Sequence, residues 1–400
     1  MINLAVPEKE LERRIMDFQE RLQSSGADGA FLVQRADLYY FSGNEDVDCI
    51  YVPPEGKPFC FFVDSQLCPY HLDNVACCDL YYINELEEIK RILKNSSYQR
   101  REVIGVEWDV ISFLEFQSYK NLFEGSEFFD ISSLILSIRA RKSAWELEQM
   151  RKVACLSSDV FDAISYVIEP GMTEMDLSSQ AESVAQKKGQ TCIHVRVRDY
   201  KTEGYPWHVL SGPNGGMIGL LDSPASGLGT SAAFPCGASH RRIQANEPVM
   251  VDFAFGMDGY HMDETRMFSI GTMPDDAMRA SEAAIKIHNY VLEHVRPGVR
   301  AGDLFNYSVS KAHELGYADT YLGPQGYQVS FVGHGIGTEL IEWPLIAKGR
   351  EDILEPGMTF ALEPKIVFKD QFIAGVESVV AVTEDGFELI SKVPVEVFIC

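Results

Sequence analysis

Five side chains able to hold divalent cations fall between positions 252 and 377: Asp252, Asp263, His334, Glu363 and Glu377. Each ends or follows a short apolar run, in VMVDFAF, YHMDETR, FVGHGIG, MTFALEP and IAGVESVVAV. Four carboxylates and one imidazole make a hard, oxygen-rich donor set. Such a set suits manganese or cobalt first, with zinc or iron as further candidates, and argues against an iron–sulfur cluster or a structural zinc knot. The expectation is a centre of two divalent metal ions that generate a bound hydroxide for hydrolysis.

Strand alternation would position the first two donors. In Val249–Ala254, the valines 249 and 251 face one way, whereas Met250, Asp252 and Ala254 face the other. An ionised, unpaired carboxylate within so apolar a strand would be costly, so it needs a partner. That partner could be a metal; an arginine, or a place at a strand end, would also satisfy it. Strands at 248–256 and 260–269 predict a hairpin across Gly256–Gly259, which can bring Asp263 beside Asp252. Arg266 is expected to pair with Glu264 or to orient a donor. His261 shares the face of Asp263 and could line the cleft, or be a hydrogen-bonded histidine near the surface. Glycines around His334 allow close backbone approach, which suits either a donor or a core histidine in a tight turn. Glu363 and Glu377 each sit beside an apolar strand. Each motif alone is weak; the five in this order are a strong signal.

Upstream, the apolar spacing predicts helices over 8–24, 84–95 and 110–123, interleaved with strands at ADGAFLV, CIYVPPEG, PFCFFVD and VIGVEW. This alternation argues for an α/β domain. A joint is expected over Ser132–Lys142. Beyond it, Ser143 with Glu146 predicts the start of a helix over 144–168, and Thr173 that of a second over 174–188. Strands at 191–198 and 206–210, helices near 275–295 and 301–315, and a strand-rich end at 357–397 complete an α+β unit. The domain expectation is therefore 1–138 and 139–400.

Composition narrows the partners. Of 400 residues, 46% are hydrophobic and 24% charged, with 59 acids against 35 bases and a net charge of −24. So acidic a chain repels phosphate backbones, and no nucleic-acid partner is expected. No run is apolar for long enough to span a bilayer and no signal peptide is visible, so neither membrane association nor secretion is expected. Of nine scattered cysteines without CxxC spacing, most read as buried hydrophobes in a reducing cytoplasm. Cys77 and Cys78 would point to opposite faces if they lie on a strand. The glycine-rich stretch 211–229 lacks the GxxxxGK[ST] pattern of a phosphate loop and reads as a rim loop. Cys236 near His240 lacks the partners of a nucleophilic cysteine.

The pieces VDFAF, GYHMDETR, GHGIG, MTFALEP and GVES, with RARKSAWELEQMRKV near the joint, resemble the pita-bread metallopeptidase superfamily of methionine aminopeptidase, Xaa-Pro aminopeptidase, prolidase and creatinase. The likeness covers roughly 140–395; residues 10–135 resemble more loosely the amino-terminal domain of the prolidase and creatinase branch. It implies an α+β pita-bread catalytic domain preceded by a smaller α/β, ribonuclease H-like domain. It implies that Asp263 and Glu377 bridge two metals, that Asp252 holds one, and that His334 and Glu363 complete the other. Short peptides, Xaa-Pro bonds in particular, would be the substrate, with Glu363 carrying the proton to the leaving amine. A homodimer is implied as well.

Two departures stand out. The family's peptidases carry a histidine seven residues after the metal-binding one, where this chain has Ile341. A second histidine, expected before the first metal strand, aligns with Cys236 or a neighbour. His208 and His240 are candidates to fill that vacancy, His208 ahead because it leads into the SGPN loop. Glu342 could carry a proton or be a turn residue. Losing such transition-state hydrogen bonds typically costs ~10²–10³ in rate. The alternatives are therefore a lyase or C–N hydrolase acting on a small acid with the same cage, and a non-catalytic metal-binding protein.

Overall fold

A computed structural model of the chain describes residues 6–63, 77–96, 102–190, 198, 207–219 and 223–400. It divides into two units, one ending at Arg139 and including Arg198, the other beginning at Ala140.

In the first unit, helix α1 (Glu8–Ser25) buries Leu11, Ile15, Phe18 and Leu22 along one stripe, and Gly26 ends it at φ 83°. Strands β1 (Gly29–Leu32), β2 (Cys49–Val52), β3 (Phe59–Val63), β4 (Asp79–Ile83), β5 (Val103–Val106) and β6 (Glu127–Asp130) alternate with helices α2 (Arg35–Ser42), α3 (Glu87–Asn95), α4 (Phe113–Leu122) and α5 (Ser132–Arg139). They form one sheet in the order β4-β3-β2-β1-β5-β6. The pairs β1–β2 and β2–β3 are antiparallel; the others are parallel. Phe31, Tyr51, Phe59, Phe61, Tyr119 and Phe123 pack as its aromatic core. Most of the predicted joint, 132–142, is helix α5. Cys77 and Cys78 lie in a turn before β4 with their sulfurs 3.7 Å apart, so the opposite-face arrangement expected of a strand does not arise.

The second unit opens on α6 (Ala144–Val167) and α7 (Glu174–Lys187). Ser143 with Glu146, and Thr173 with Asp176, form reciprocal capping boxes that fix where each helix begins. Then come β7 (Trp207–Ser211), β8 (Val249–Met257), β9 (Tyr260–Ser269), α8 (Asp275–Leu292), α9 (Ala301–Glu314), β10 (Phe331–Gly335), β11 (Glu342–Ala347), β12 (Thr359–Leu362), β13 (Lys365–Phe368), β14 (Phe372–Gly375), β15 (Ser378–Val382), β16 (Phe387–Leu389) and β17 (Val397–Ile399). Apart from Arg198, the strand predicted at 191–198 lies outside the described residues. One sheet has the order β17-β9-β8-β7, a second β11-β10-β12-β15-β16, and β13–β14 is a separate hairpin. Helix α6 packs on β8 and β9. Its Phe161 meets Phe253, Phe255 and Phe268, with ring centroids 6.1–6.3 Å apart. That contact assigns the odd-numbered face of β8 to the helix and leaves the even-numbered face, with Asp252, for the site. Helices α8 and α9 close the other side over Val332, Ile346, Phe360, Leu362 and Val380.

Glu174, in the first turn of α7, is buried and anchors the SGPN turn. Its Oε1 accepts from the Ser211 amide and hydroxyl at 2.7 and 2.6 Å; its Oε2 accepts from Asn214 at 2.7 Å and from the Ser239 amide and hydroxyl at 2.9 and 2.6 Å. E174A strips five donors of their acceptor and is expected to lower unfolding free energy by roughly 3 kcal/mol or more in urea titrations, with E174Q losing less.

His288, fully buried on α8, is pushed down to about 4 by that burial. The unfolded chain takes up a proton near pH 6.5 that the fold refuses until about pH 4. Stability therefore falls as pH drops through that window, by roughly 3 kcal/mol in all. H288L should flatten this part of the stability–pH curve in denaturant titrations.

Candidate metal centre

The hairpin sets the first two donors. In the β8–β9 ladder Asp252 lies opposite Thr265 and Ala254 opposite Asp263, so both aspartates share one face, two residues out of register. Glu377 joins them through a single bridge. Its amide donates to the Thr265 carbonyl at 3.1 Å, and the Thr265 hydroxyl donates to Glu377 Oε2 at 2.8 Å. Arg266 secures this junction from beneath. Fully buried, it donates to the backbone carbonyls of Thr265, Glu377, Val393 and Pro394 and stands 3.3 Å from Glu264. Both expected roles of Arg266 are thus present.

The second sheet supplies the rest. His334 on β10 pairs with Ala361 on β12, and the Glu363 amide donates to Val332 O at 2.9 Å, which seats Glu363 beside the imidazole. A Cβ on Gly333 would stand 2.2 Å from Ala361 O, and one on Gly335 2.2 Å from Trp343 O, so only glycine allows these strands to close on His334. The ring Nδ1 of His334 is 3.1 Å from the Gly335 carbonyl. A carbonyl only accepts, so Nδ1 carries the proton and Nε2 keeps its lone pair for a cation. Nε2 lies 3.8 Å from both Asp263 Oδ2 and Glu363 Oε1. Donor atoms of Asp263, His334 and Glu377 all lie within 4.8 Å of one another.

One residue of the cluster was not anticipated. Lys365, two places after Glu363 and so on the same side of the chain, sends its ammonium among the acids. Nζ stands 2.9 Å from Asp252 Oδ2, 2.8 Å from Glu363 Oε2 and 3.5 Å from Glu377 Oε2. It is 3% exposed. Gly375 lies opposite it on β14, where a Cβ would come within 2.8 Å of Lys365 Cγ. The sequence signal was a lysine leading an apolar strand (KIVF) across from a glycine.

The electrostatics follow. Burial pushes Asp263 and Glu377 well above the carboxylate range, and their acidic neighbours push further than Lys365 pulls back. Burial also opposes ionisation of Asp252, but Lys365 and His208 outweigh it and hold that carboxyl low. For Lys365, burial opposes the charge, and Asp252, Glu363 and Glu377 outweigh it, so the ammonium stays charged. Glu377 Oε1 is buried without a hydrogen-bond partner. That orphaned oxygen, the free Nε2 of His334 and the oxygens of Asp263 and Glu363 on the imidazole side fit a divalent cation.

The other predicted residues separate. His208 on β7 lies directly opposite Asp252 and feels the charges of both Asp252 and Lys365, so it stands beside the cluster. Burial lowers its pKa, which favours a neutral imidazole. His240 is exposed and lies near Asp176 at the start of α7; the structure does not bring it to the cluster. Glu342 is corrected as a proton carrier: it is buried, accepts from Thr338 Oγ1 at 3.1 Å and the Glu339 amide at 2.9 Å, and pairs with Lys142 at 3.1 Å. These bonds hold the turn after β10. His261 is likewise occupied, its Nδ1 3.1 Å from Gly337 O.

The family model for metallopeptidase family M24 matches residues 148–384, and that for the creatinase/prolidase amino-terminal domain matches residues 14–141. The chain belongs to metallopeptidase family M24. This M24 chain is 24% identical over 386 residues to an Xaa-Pro dipeptidase of Pyrococcus furiosus, spanning 96% of this chain and 98% of that protein. It is 26% identical to an Xaa-Pro dipeptidase of Lactobacillus delbrueckii subsp. lactis, spanning 92% and 94%. The solved structure of an Xaa-Pro dipeptidase from Bacillus anthracis superposes with a TM-score of 0.82 at 20% identity, covering 98% of this chain and all of that one. The fold is that of a creatinase-type amino-terminal domain followed by a pita-bread domain. Among the described residues, no helix is long and apolar enough to cross a membrane.

D263N and H334A are each expected to weaken Co²⁺ binding by ~100-fold in calorimetric titration, since each alters a candidate donor. H240A should leave the affinity unchanged.

Proposed function

We propose that this M24 chain is a metal-dependent hydrolase of short peptides, acting on Xaa-Pro dipeptides or the amino-terminal bond of longer Xaa-Pro peptides. The observation that carries this reading is the gathering of Asp252, Asp263, His334, Glu363 and Glu377 from two sheets around one buried spot, with His334 Nε2 left free. The full-length relatives named as Xaa-Pro dipeptidases support the substrate class.

A divalent ion held by Asp263, His334, Glu363 and Glu377 would supply the Lewis acidity that polarises the scissile carbonyl and acidifies a water. Glu363 accepts the proton of the attacking water and returns it to the leaving nitrogen, as its position between His334 and Lys365 allows. His208, neutral and beside Asp252, donates a ring N–H to the oxygen on which negative charge develops. Lys365 helps to hold Asp252 ionised. The oxygen-rich donor set supports manganese or cobalt ahead of zinc or iron. A cytoplasmic homodimer completes the proposal, supported by the scattered cysteines, odd in number, and by the branch that the sequence resembles.

A second reading, a lyase or C–N hydrolase acting on a small acid, draws on Ile341: it is apolar and 40% exposed where the family's peptidases carry a histidine. A panel of Xaa-Pro dipeptides assayed with Mn²⁺ or Co²⁺ separates the two. The peptidase reading expects proline release that a chelator abolishes; no turnover across the panel by metal-loaded protein would overturn it. H208A should lower kcat/KM by ~10²-fold while leaving metal affinity within a few-fold.

A further inference from the structure

We propose that the ammonium of Lys365 is a built-in cation that takes the place of one divalent ion, so that this chain holds one metal per centre and not two. The inference rests on the metallohydrolase reading above and specifies its stoichiometry.

The cluster has two halves. On one side, Asp263 Oδ2, Glu363 Oε1 and His334 Nε2 face one another, with Glu377 Oε1 lacking any partner. Every group there is an acceptor or a lone pair. On the other side, Asp252 Oδ2 and Glu363 Oε2 turn to Lys365 Nζ at 2.9 and 2.8 Å, and Glu377 Oε2, which also accepts from the Thr265 hydroxyl, lies 3.5 Å from it. Two of those acids, Asp252 and Glu377, are donors that a second dication near Asp252 would need. A metal takes carboxylate oxygens at about 2.0–2.2 Å, closer than the ammonium holds them, so the two cations would contest the same lone pairs.

Lys365 is built in and not a chance visitor. It leads strand β13, its side chain is 3% exposed, and Gly375 opposite leaves it the room it occupies. Swinging it out would take an ammonium and its stem from a cradle of three acids. The lysine therefore fixes Asp252 as a partner of the protein's own cation, and the imidazole half as the place where metal binds.

The test is metal stoichiometry of the full chain at a large excess of Mn²⁺, by elemental analysis after gel filtration and by calorimetry. Manganese electron paramagnetic resonance gives a second readout, because one isolated ion keeps its hyperfine-split spectrum whereas a bridged pair is exchange-coupled. The wild-type chain is expected to bind one ion with the isolated spectrum, and K365G and K365M, shown folded by circular dichroism, two. Two coupled ions in the wild-type chain would overturn the inference and leave the hydrolase reading standing. So would one ion in both wild type and the folded variants. If none of the three proteins binds metal, the hydrolase reading falls, and the inference with it.

Discussion

The gathering of four carboxylates is the constraint on which this structure turns. Asp263, Glu363 and Glu377 are buried, and Asp252 lies beside them partly exposed. Without cations such a cluster repels itself and takes up protons, as the raised pKa values of Asp263 and Glu377 show. A compact fold that assembles it must supply positive charge. Part of that charge is covalent, in Lys365. The rest is left to whatever the His334 side attracts.

The architecture serves this gathering of acids. Glu377, itself a donor, bridges the two sheets through Thr265, and Glu363 leaves β12 with its amide tied to Val332. Arg266 stabilises the junction by filling carbonyls on both chain segments, which places a buried guanidinium where it fixes the walls of the cage. Helix α6 covers the back of the hairpin with Phe161, and α8 and α9 cover the second sheet. Stability and site geometry are therefore coupled.

Much of this was legible in the sequence where local rules decide it. Apolar alternation in Val249–Ala254 placed Asp252 on the face away from helix α6. The Ser143–Glu146 pair and Thr173 marked helix starts that the structure reproduces. Glycines around His334 announced close strand approach, and the two Cβ clashes give the reason. What the sequence hid was long-range and electrostatic. Lys365 looked like a strand residue because its partners Asp252 and Glu377 lie far away in the chain. Glu342 looked available because Lys142, 200 positions earlier, was not visibly its partner. His240 is near the metal strands in sequence yet exposed at the head of α7, whereas His208 reaches Asp252 through strand pairing.

The most direct test of the central claim, that these five residues and Lys365 form one cage with a metal half and a lysine half, is an anomalous-scattering map from crystals grown with manganese. The account predicts a single peak bonded to His334 Nε2, Asp263, Glu363 and Glu377, with Lys365 Nζ still seated against Asp252. A peak bonded to Asp252 with the lysine displaced, or no peak beside His334, would contradict it.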